Sequence, residues 1–202
     1  MGKHVYVSAD YDQDSGDRAV VEELNGWAKD KKHIIDFIDM AKVSSGSVAN
    51  GSDCRICDLK AEFNRQINAS SCVIFVVGDM TRSRTAGCEC KRASKEQEQC
   101  ECTPYKQNTN GMKACKISST STPGENDDFG SINPFSYLRH EFQQAKKKKK
   151  SIIIVYNSVR KETSWLPSYM NGYADIAKPF WKYDACGRKV GDYAYIKEVL
   201  GF

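Results

Sequence analysis

The amino-acid sequence predicts a doubly wound α/β fold, in which helices cover both faces of a central, mainly parallel sheet. Two observations carry this prediction. Strand-like and helical segments alternate along the chain, and the third strand, Cys72–Val77, is apolar at every position, as is typical of a parallel strand buried on both faces. Right-handed crossovers then favour the flavodoxin-like strand order 2-1-3-4, with or without a fifth strand. All 202 residues belong to one domain in this prediction.

The order of the elements follows from short apolar runs and from the spacing of apolar residues between them. Strands are predicted at residues 3–9, 33–38, 72–77 and 152–156. Two helices are predicted from apolar residues at helical spacing, at Val20, Val21, Leu24, Trp27 and Ala28 and then at Ile56, Leu59, Phe63 and Ile67. The tail indicates a short strand near 180–183 and a closing helix over 193–200. Four large apolar residues are predicted to lie in the core: Trp27, Phe63, Phe75 and Phe142.

A third helix, which follows a long polar stretch, carries Glu141. Asn133 is a good N-cap residue for it, and Pro134 suits the first helical position. One apolar stripe then runs along the helix through Phe135, Leu138, Phe142 and Ala145. Glu141 lies roughly 80° from the centre of this stripe, at the border between core and crevice, and Tyr137 falls on the same flank. A helix glutamate is usually a solvated surface residue, so its role depends on where the fold places it.

The predicted topology places Glu141 near the edge of the sheet where ligands bind. In the flavodoxin-like order this is the switch point between strands one and three, beyond their carboxyl ends. The loop from Ser8 to Asp14 follows strand one, and the Glu141 helix follows strand three, so both meet at this point. The sequence has neither a Gly-x-Gly-x-x-Gly fingerprint nor a P-loop, so no other nucleotide-binding α/β fold is supported.

Composition limits the classes of function that fit this chain. Hydrophobic residues make up 40% and charged residues 28%, as in ordinary globular proteins, and the net charge of +4 is too small to indicate a nucleic-acid partner. No apolar run approaches the ~20 residues that span a bilayer, and a strand begins where a signal peptide would lie. We therefore expect a cytoplasmic protein without a membrane partner. The lysine run 146–150 is expected to cap the end of its own helix and stay solvated.

Nine cysteines, an odd number, are not expected to form a disulfide framework in a protein without an export signal. Five of them lie in a polar insertion at about 82–132: the pairs Cys88/Cys90 and Cys100/Cys102, and the single Cys115. Thiolates at short spacing can share a tetrahedral zinc ion, which would order a segment too polar to form its own core. The alternative is a set of scattered reduced cysteines, because Cys-x-Cys is an uncommon zinc spacing and the insertion contains no histidine.

The chain resembles the bacterial TIR-like domains, especially those of the Thoeris antiphage type. The matching segments are 3–11, 35–39, 70–78, 81–82, 137–141 and 152–155, with Trp27 closing the first helix. The resemblance covers roughly the first 80 residues and then 133–156. It implies a three-layer TIR-like fold. The Cys-rich insertion departs from the family pattern and could serve as a lid, a substrate selector or a blocker.

The resemblance also implies an activity. In TIR-like enzymes a glutamate at the position of Glu141 is catalytic for cleaving the nicotinamide–ribose bond of NAD, and some relatives cyclise the ADP-ribose into a signal. NAD is then the substrate, and no cofactor is required. By the same resemblance, Ser8, Asp10 and Tyr11 serve the nicotinamide end, with Tyr11 or Tyr137 able to stack on a ring. The expected partners are NAD or a related nucleotide, other TIR-like domains or a downstream effector, and further copies of the chain in a homo-oligomer.

Two other functions fit parts of the sequence. A non-catalytic TIR-like interaction module would assemble through the loop 44–53 and its helix faces, with Glu141 as a surface residue. A receiver-like domain is suggested by Asp10 and Asp12 after strand one. Against it, Asp79 is displaced from the end of strand three, and the lysine expected after strand four is missing.

Overall fold

The computed structural model describes residues 3–10, 16–29, 35–39, 55–84 and 136–202. Its centre is a five-stranded sheet in the order β2-β1-β3-β4-β5, in which every neighbouring pair is parallel. The strands are β1 (Lys3–Ser8), β2 (Ile35–Asp39), β3 (Cys72–Val77), β4 (Ser151–Tyr156) and β5 (Lys178–Pro179). The predicted α/β fold with a flavodoxin-like strand order is therefore confirmed, and the fifth strand is present.

Among the described residues, four α-helices flank the sheet. They are α1 (Asp17–Trp27), α2 (Arg55–Ala69), α3 (Tyr137–Lys147) and α4 (Tyr193–Leu200). Short 3₁₀ segments lie at Thr81–Ser83, Thr163–Trp165 and Ser168–Tyr173, and β6 (Trp181–Tyr183) and β7 (Lys189–Gly191) form an antiparallel hairpin. No helix within the described ranges is long and apolar enough to cross a membrane.

The sheet separates two apolar cores, because successive side chains of a strand point to opposite faces. On β1, Val5 and Val7 face the core that α1 and α4 cover, whereas Tyr6 faces the core beneath α2 and α3. Every residue of β3 is buried, as its unbroken apolar sequence predicts for a central strand. One face of the sheet therefore packs against α1 and α4, and the other face packs against α2 and α3.

Three of the four predicted core residues are confirmed. Phe63, Phe75 and Phe142 are buried in the core beneath α2 and α3. Trp27 is only partly buried, because it ends α1 at the margin of the opposite core. Its ring stacks on Phe180 with centroids 5.3 Å apart, and a Cβ on Gly191 would lie 2.6 Å from it, so the indole closely contacts the C-terminal hairpin.

The predicted start of the glutamate helix is wrong. Helix α3 begins at Tyr137, and its N-cap is Ser136, whose hydroxyl accepts a hydrogen bond from the Arg139 N–H at 3.1 Å. Ser136 has φ −58° and ψ 158°, so the backbone is still extended there and the helix cannot reach back to Asn133 or Pro134. Those two residues lie outside the described residues.

The prediction that the lysine run 146–150 caps its own helix is wrong for its last residue, Lys150. Lys146 and Lys147 lie in the last turn of α3 and are exposed, as expected. Lys150 instead turns to the neighbouring helix, where its Nζ donates to the carbonyl oxygens of Asn68 at 2.7 Å and Ser70 at 2.6 Å. It therefore caps the C-terminal end of α2 rather than that of its own helix.

Candidate active site at the carboxyl edge of the sheet

Glu141 lies in the second turn of α3 and is fully buried, with 0% of its surface exposed. The Tyr6 hydroxyl donates to its Oε1 at 2.7 Å, and the Ser8 hydroxyl donates to its Oε2. Tyr6 and Ser8 are alternate residues of β1, so both point to the face that α3 covers. The expectation that Glu141 sits at an open border of the core is therefore corrected: β1 encloses the carboxylate.

The hydrogen bonds fix the position of this carboxylate. The hydroxyls of two β1 residues, Tyr6 and Ser8, bond its two oxygens, and Ser8 itself is buried. A buried acceptor that is satisfied in this way has one strongly preferred orientation, because leaving it unsatisfied would cost about 1–3 kcal/mol. The Glu141 carboxyl group is thus fixed near the carboxyl end of β1, where β1 lies beside β3.

The other residues predicted for this site differ in how close they lie to Glu141. Ser8 contacts Glu141 directly, and Asp10, 8% exposed, follows two residues later at the end of β1. Tyr137 is partly buried and packs edge-to-face against Phe63 with centroids 5.6 Å apart, so its ring contributes to the α2–α3 contact. Tyr11 and the loop 44–53 lie outside the described residues.

Tyr169 belongs to the same site, although no sequence pattern pointed to it. It lies in the 3₁₀ segment Ser168–Tyr173 and packs on α3: its ring centroid is 5.6 Å from that of Phe142, and the Arg139 guanidinium lies 5.6 Å from the ring. Burial raises the pKa of the Tyr169 phenol, the Ser136 hydroxyl and Arg139 lower it, and the Asp10 and Glu141 charges raise it further. The phenol therefore stays neutral at physiological pH.

A second buried acid, Asp17, lies on the opposite face of the same edge. It is the first residue of α1 and has no exposed surface, and its Oδ1 accepts a hydrogen bond from the Asn157 side-chain amide that follows β4. Burial raises the pKa of Asp17 to about 7; the Asn157 hydrogen bond lowers it, and nearby charges, including those of Asp10 and Asp79, also act on it. A Cβ on Gly78 would lie 2.7 Å from Asp17 Oδ1, so the end of β3 touches this acid.

The predicted zinc residues cannot be placed. Cys88, Cys90, Cys100 and Cys102 lie outside the described residues, as does nearly all of the insertion. Across the described ranges, no group of three or more His, Cys, Asp or Glu residues is arranged to hold a metal ion. Cys72 is a free thiol buried in β3, as the sequence indicates for a core residue.

The fold and the site define an α/β protein with a flavodoxin-like sheet and a buried, hydroxyl-bonded glutamate at its carboxyl edge. A comparison with protein-family models finds no match, and a comparison with curated proteins finds none either.

Proposed function

We propose that this chain is a TIR-like enzyme that cleaves the nicotinamide–ribose bond of NAD, as a glycohydrolase or a cyclase, in bacterial signalling or antiphage defence. The observation that carries the proposal is the Glu141 carboxylate, which Tyr6 and Ser8 hold at the carboxyl edge of the sheet. This is the edge where flavodoxin-like folds bind ligands. The sequence resemblance to TIR-like domains supplies the reaction.

The chemistry of this reaction needs a fixed anion. Departure of nicotinamide leaves an oxocarbenium-like ribose, and a preorganised carboxylate stabilises the positive charge as it develops. Glu141 suits this role because its two hydrogen bonds orient it before the substrate arrives. Its burial strengthens the electrostatic effect, since the interaction of two charges grows as the local dielectric constant falls.

The neighbouring acids favour a cationic substrate group. Asp10 lies at the end of β1, and its charge acts on both Tyr169 and Asp17. The nicotinamide ring of NAD is a pyridinium cation. A carboxylate at the position of Asp10 therefore attracts nicotinamide, the leaving group of the proposed reaction. In the proposal Ser8 orients Glu141, and Asp10 attracts the nicotinamide end.

Access to Glu141 has to be conditional, because no part of its surface is exposed. A ligand reaches the carboxylate only after an adjacent helix moves, while Tyr6 and Ser8 keep their hydrogen bonds to Glu141. We therefore expect slow release by the isolated chain and faster release when the protein assembles, with further copies of the chain or a downstream effector as partners.

The test compares nicotinamide release by the wild-type protein and by Glu141→Gln. Glutamine keeps the size and an acceptor oxygen but removes the charge, so we expect release to fall on the order of a hundredfold or more. Glu62→Gln is the matched control, because Glu62 is also a buried helix glutamate, but Arg65 and Gln66 of its own helix bond it at 3.0 and 2.8 Å. Equal release by wild type and Glu141→Gln would exclude Glu141 as the catalytic carboxylate.

The full burial of Glu141 favours a second candidate, a non-catalytic TIR-like interaction module. In such a module the two hydrogen bonds serve only to tie α3 to β1. The same assay separates the two functions when it is run in cells in which the intact signalling system is triggered. Loss of cellular NAD that depends on Glu141 supports the enzyme, whereas an unchanged NAD level with an intact downstream response supports the module.

A further inference from the structure

Three buried polar atoms at or near the carboxyl edge have no well-formed hydrogen bond within the part of the chain that the structure describes. They are Oδ2 of Asp17, the hydroxyl of Tyr156 at the end of β4, and the hydroxyl of Tyr169. Folded proteins rarely leave such atoms without a partner, and an exception calls for an explanation such as a bound ligand or water. The Tyr169 hydroxyl is the one with the clearest link to Glu141.

The position of Tyr169 is fixed by its ring rather than by its hydroxyl. The ring packs against Phe142, the residue after Glu141, and beneath the Arg139 guanidinium. Ser136, the N-cap of α3, lies beside the phenol, and the Asp10 and Glu141 carboxylates act on it electrostatically. The phenol is therefore held near the N-terminal end of α3, where the charges of Asp10 and Glu141 both act on it.

The surroundings of the phenol select the ligand group that it can bind. A neutral phenol can donate a hydrogen bond, and the carboxyl oxygens of Asp10 and Glu141 can accept one. A ligand hydroxyl group suits these neighbours, because it can accept a hydrogen bond from the phenol and donate one to a carboxyl oxygen. A phosphate group does not fit, since two carboxylates would repel its charge.

We infer that Tyr169 is a ligand-binding residue of the Glu141 site, and that its phenol donates a hydrogen bond to a hydroxyl of the ribose next to nicotinamide. The inference rests on the proposed function for its choice of ligand. It adds to that function a residue from the C-terminal part of the chain, outside every segment that carries the TIR-like resemblance.

The experiment compares Tyr169→Phe with Tyr173→Phe in the full-length chain. Both tyrosines lie in the segment Ser168–Tyr173, both rings pack on Phe142, at 5.6 and 5.4 Å, and both substitutions remove only a hydroxyl. Binding is measured by calorimetry in the Glu141→Gln background, which prevents turnover and keeps an acceptor oxygen. The two probes are NAD and an NAD analogue whose nicotinamide-side ribose lacks both hydroxyls. KM and kcat for nicotinamide release are measured with Glu141 intact.

We expect Tyr169→Phe to weaken NAD binding about tenfold, as for one lost hydrogen bond, and to leave binding of the analogue unchanged. Tyr173→Phe should leave the binding of both probes within about twofold. Equal weakening of NAD and the analogue by Tyr169→Phe would indicate a merely structural role and overturn the inference, and so would unchanged NAD binding.

The outcomes also separate this inference from the proposed function. If NAD binding depends on the Tyr169 hydroxyl and the wild-type protein never releases nicotinamide, the inference stands and the proposed reaction fails. If nicotinamide release depends on Glu141 but Tyr169→Phe changes neither KM nor NAD binding, the reaction stands and the inference fails. If no variant binds NAD, both are overturned.

Discussion

Two buried carboxyl groups occupy the same edge of this sheet on opposite faces, and they differ in how their oxygens are satisfied. Glu141 lies beneath α3, where Tyr6 and Ser8 each donate to one of its oxygens. Asp17 begins α1 on the other face, where Asn157 donates to Oδ1 and Oδ2 has no hydrogen-bond partner among the described residues. Both side chains have 0% exposure, so burial alone does not distinguish them.

The difference shows that hydrogen bonds decide what a buried acid can do. A carboxyl group with few donors avoids charge by holding its proton, which is why the pKa of Asp17 rises to about 7. A carboxylate with a donor on each oxygen is held in one orientation and can serve as a fixed electrostatic group. In the proposed function Glu141 acts through its charge, whereas Asp17, with a pKa of about 7, can exchange a proton near neutral pH.

The largest expected effect comes from removing the donors of Glu141. The double substitution Tyr6→Phe/Ser8→Ala leaves a buried carboxylate without its two hydroxyl partners, so we expect the free energy of unfolding to fall by about 3–5 kcal/mol. Urea denaturation measures this change. Adding Glu141→Gln should restore part of the loss, because the neutral amide is less costly to bury. A loss below about 1 kcal/mol would mean that other groups satisfy Glu141.

The next largest effect concerns Asp17, where we expect a substitution to raise the free energy of unfolding rather than lower it. Its pKa rises from 3.8 to about 7 on folding, so the folded state binds the proton more tightly than the unfolded state. Between these two values the wild-type protein loses stability as pH rises, at about 1.4 kcal/mol per pH unit. Asp17→Asn removes this penalty and should stabilise the protein by about 2–4 kcal/mol at pH 8, and by less at pH 5.

Unfolding free energies of wild type and Asp17→Asn at pH 5, 6.5 and 8 test this prediction. The difference between the two proteins should grow with pH and level off above about pH 7, where Asp17 is ionised in both states. A difference that does not change with pH would show that Asp17 is already charged in the folded protein at pH 5.

The smallest expected change in the free energy of unfolding comes from Gly78→Ala, which tests how closely Asp17 is enclosed. A Cβ on Gly78 would lie 2.7 Å from Asp17 Oδ1 and 2.9 Å from Asn157 Nδ2, so Gly78→Ala should cost about 1–3 kcal/mol. Gly26→Ala in α1 is the matched control: nothing lies within 4 Å of its Cβ, and it should stabilise the helix by about 0.5–1 kcal/mol. Thermal unfolding of both variants provides the measurement. Equal effects would mean that the Asp17–Asn157 pair moves aside easily.

The fold was predictable because its signals are local. The unbroken apolar run of β3 and the helical spacing in α1 and α2 each lie within fewer than 20 residues, and together they define the order of elements. Helix α4 was predicted over the residues where it is found. The N-cap of α3 was missed because Asn133 and Ser136 are both good N-cap types, and only the backbone conformation decides between them.

The site was less predictable because its contacts are distant in sequence. Glu141 and Ser8 could each be singled out, but their hydrogen bond joins residues 133 positions apart, so the enclosure of Glu141 had no local signal. Asp17 was not singled out from the sequence, because Asn157 and Gly78, which lie beside it in the fold, are distant from it along the chain. Tyr169 lies in a segment without helical or strand periodicity, and its packing on α3 arises only in the folded chain.

The contacts of Lys150 have a consequence for how the site could open. Lys150 joins the turn after α3 to the last carbonyls of α2, and Gln144 adds a hydrogen bond to Asn68 at 2.9 Å, so the two helices are tied where both end. In the first turn of α3, Tyr137 packs edge-to-face against Phe63, near the middle of α2. An aromatic contact of this kind contributes only about 0.5–1.5 kcal/mol beyond its buried area. The helix pair is thus fastened where both helices end, so a movement of α3 that uncovers Glu141 either keeps these hydrogen bonds and pivots about them or has to break them.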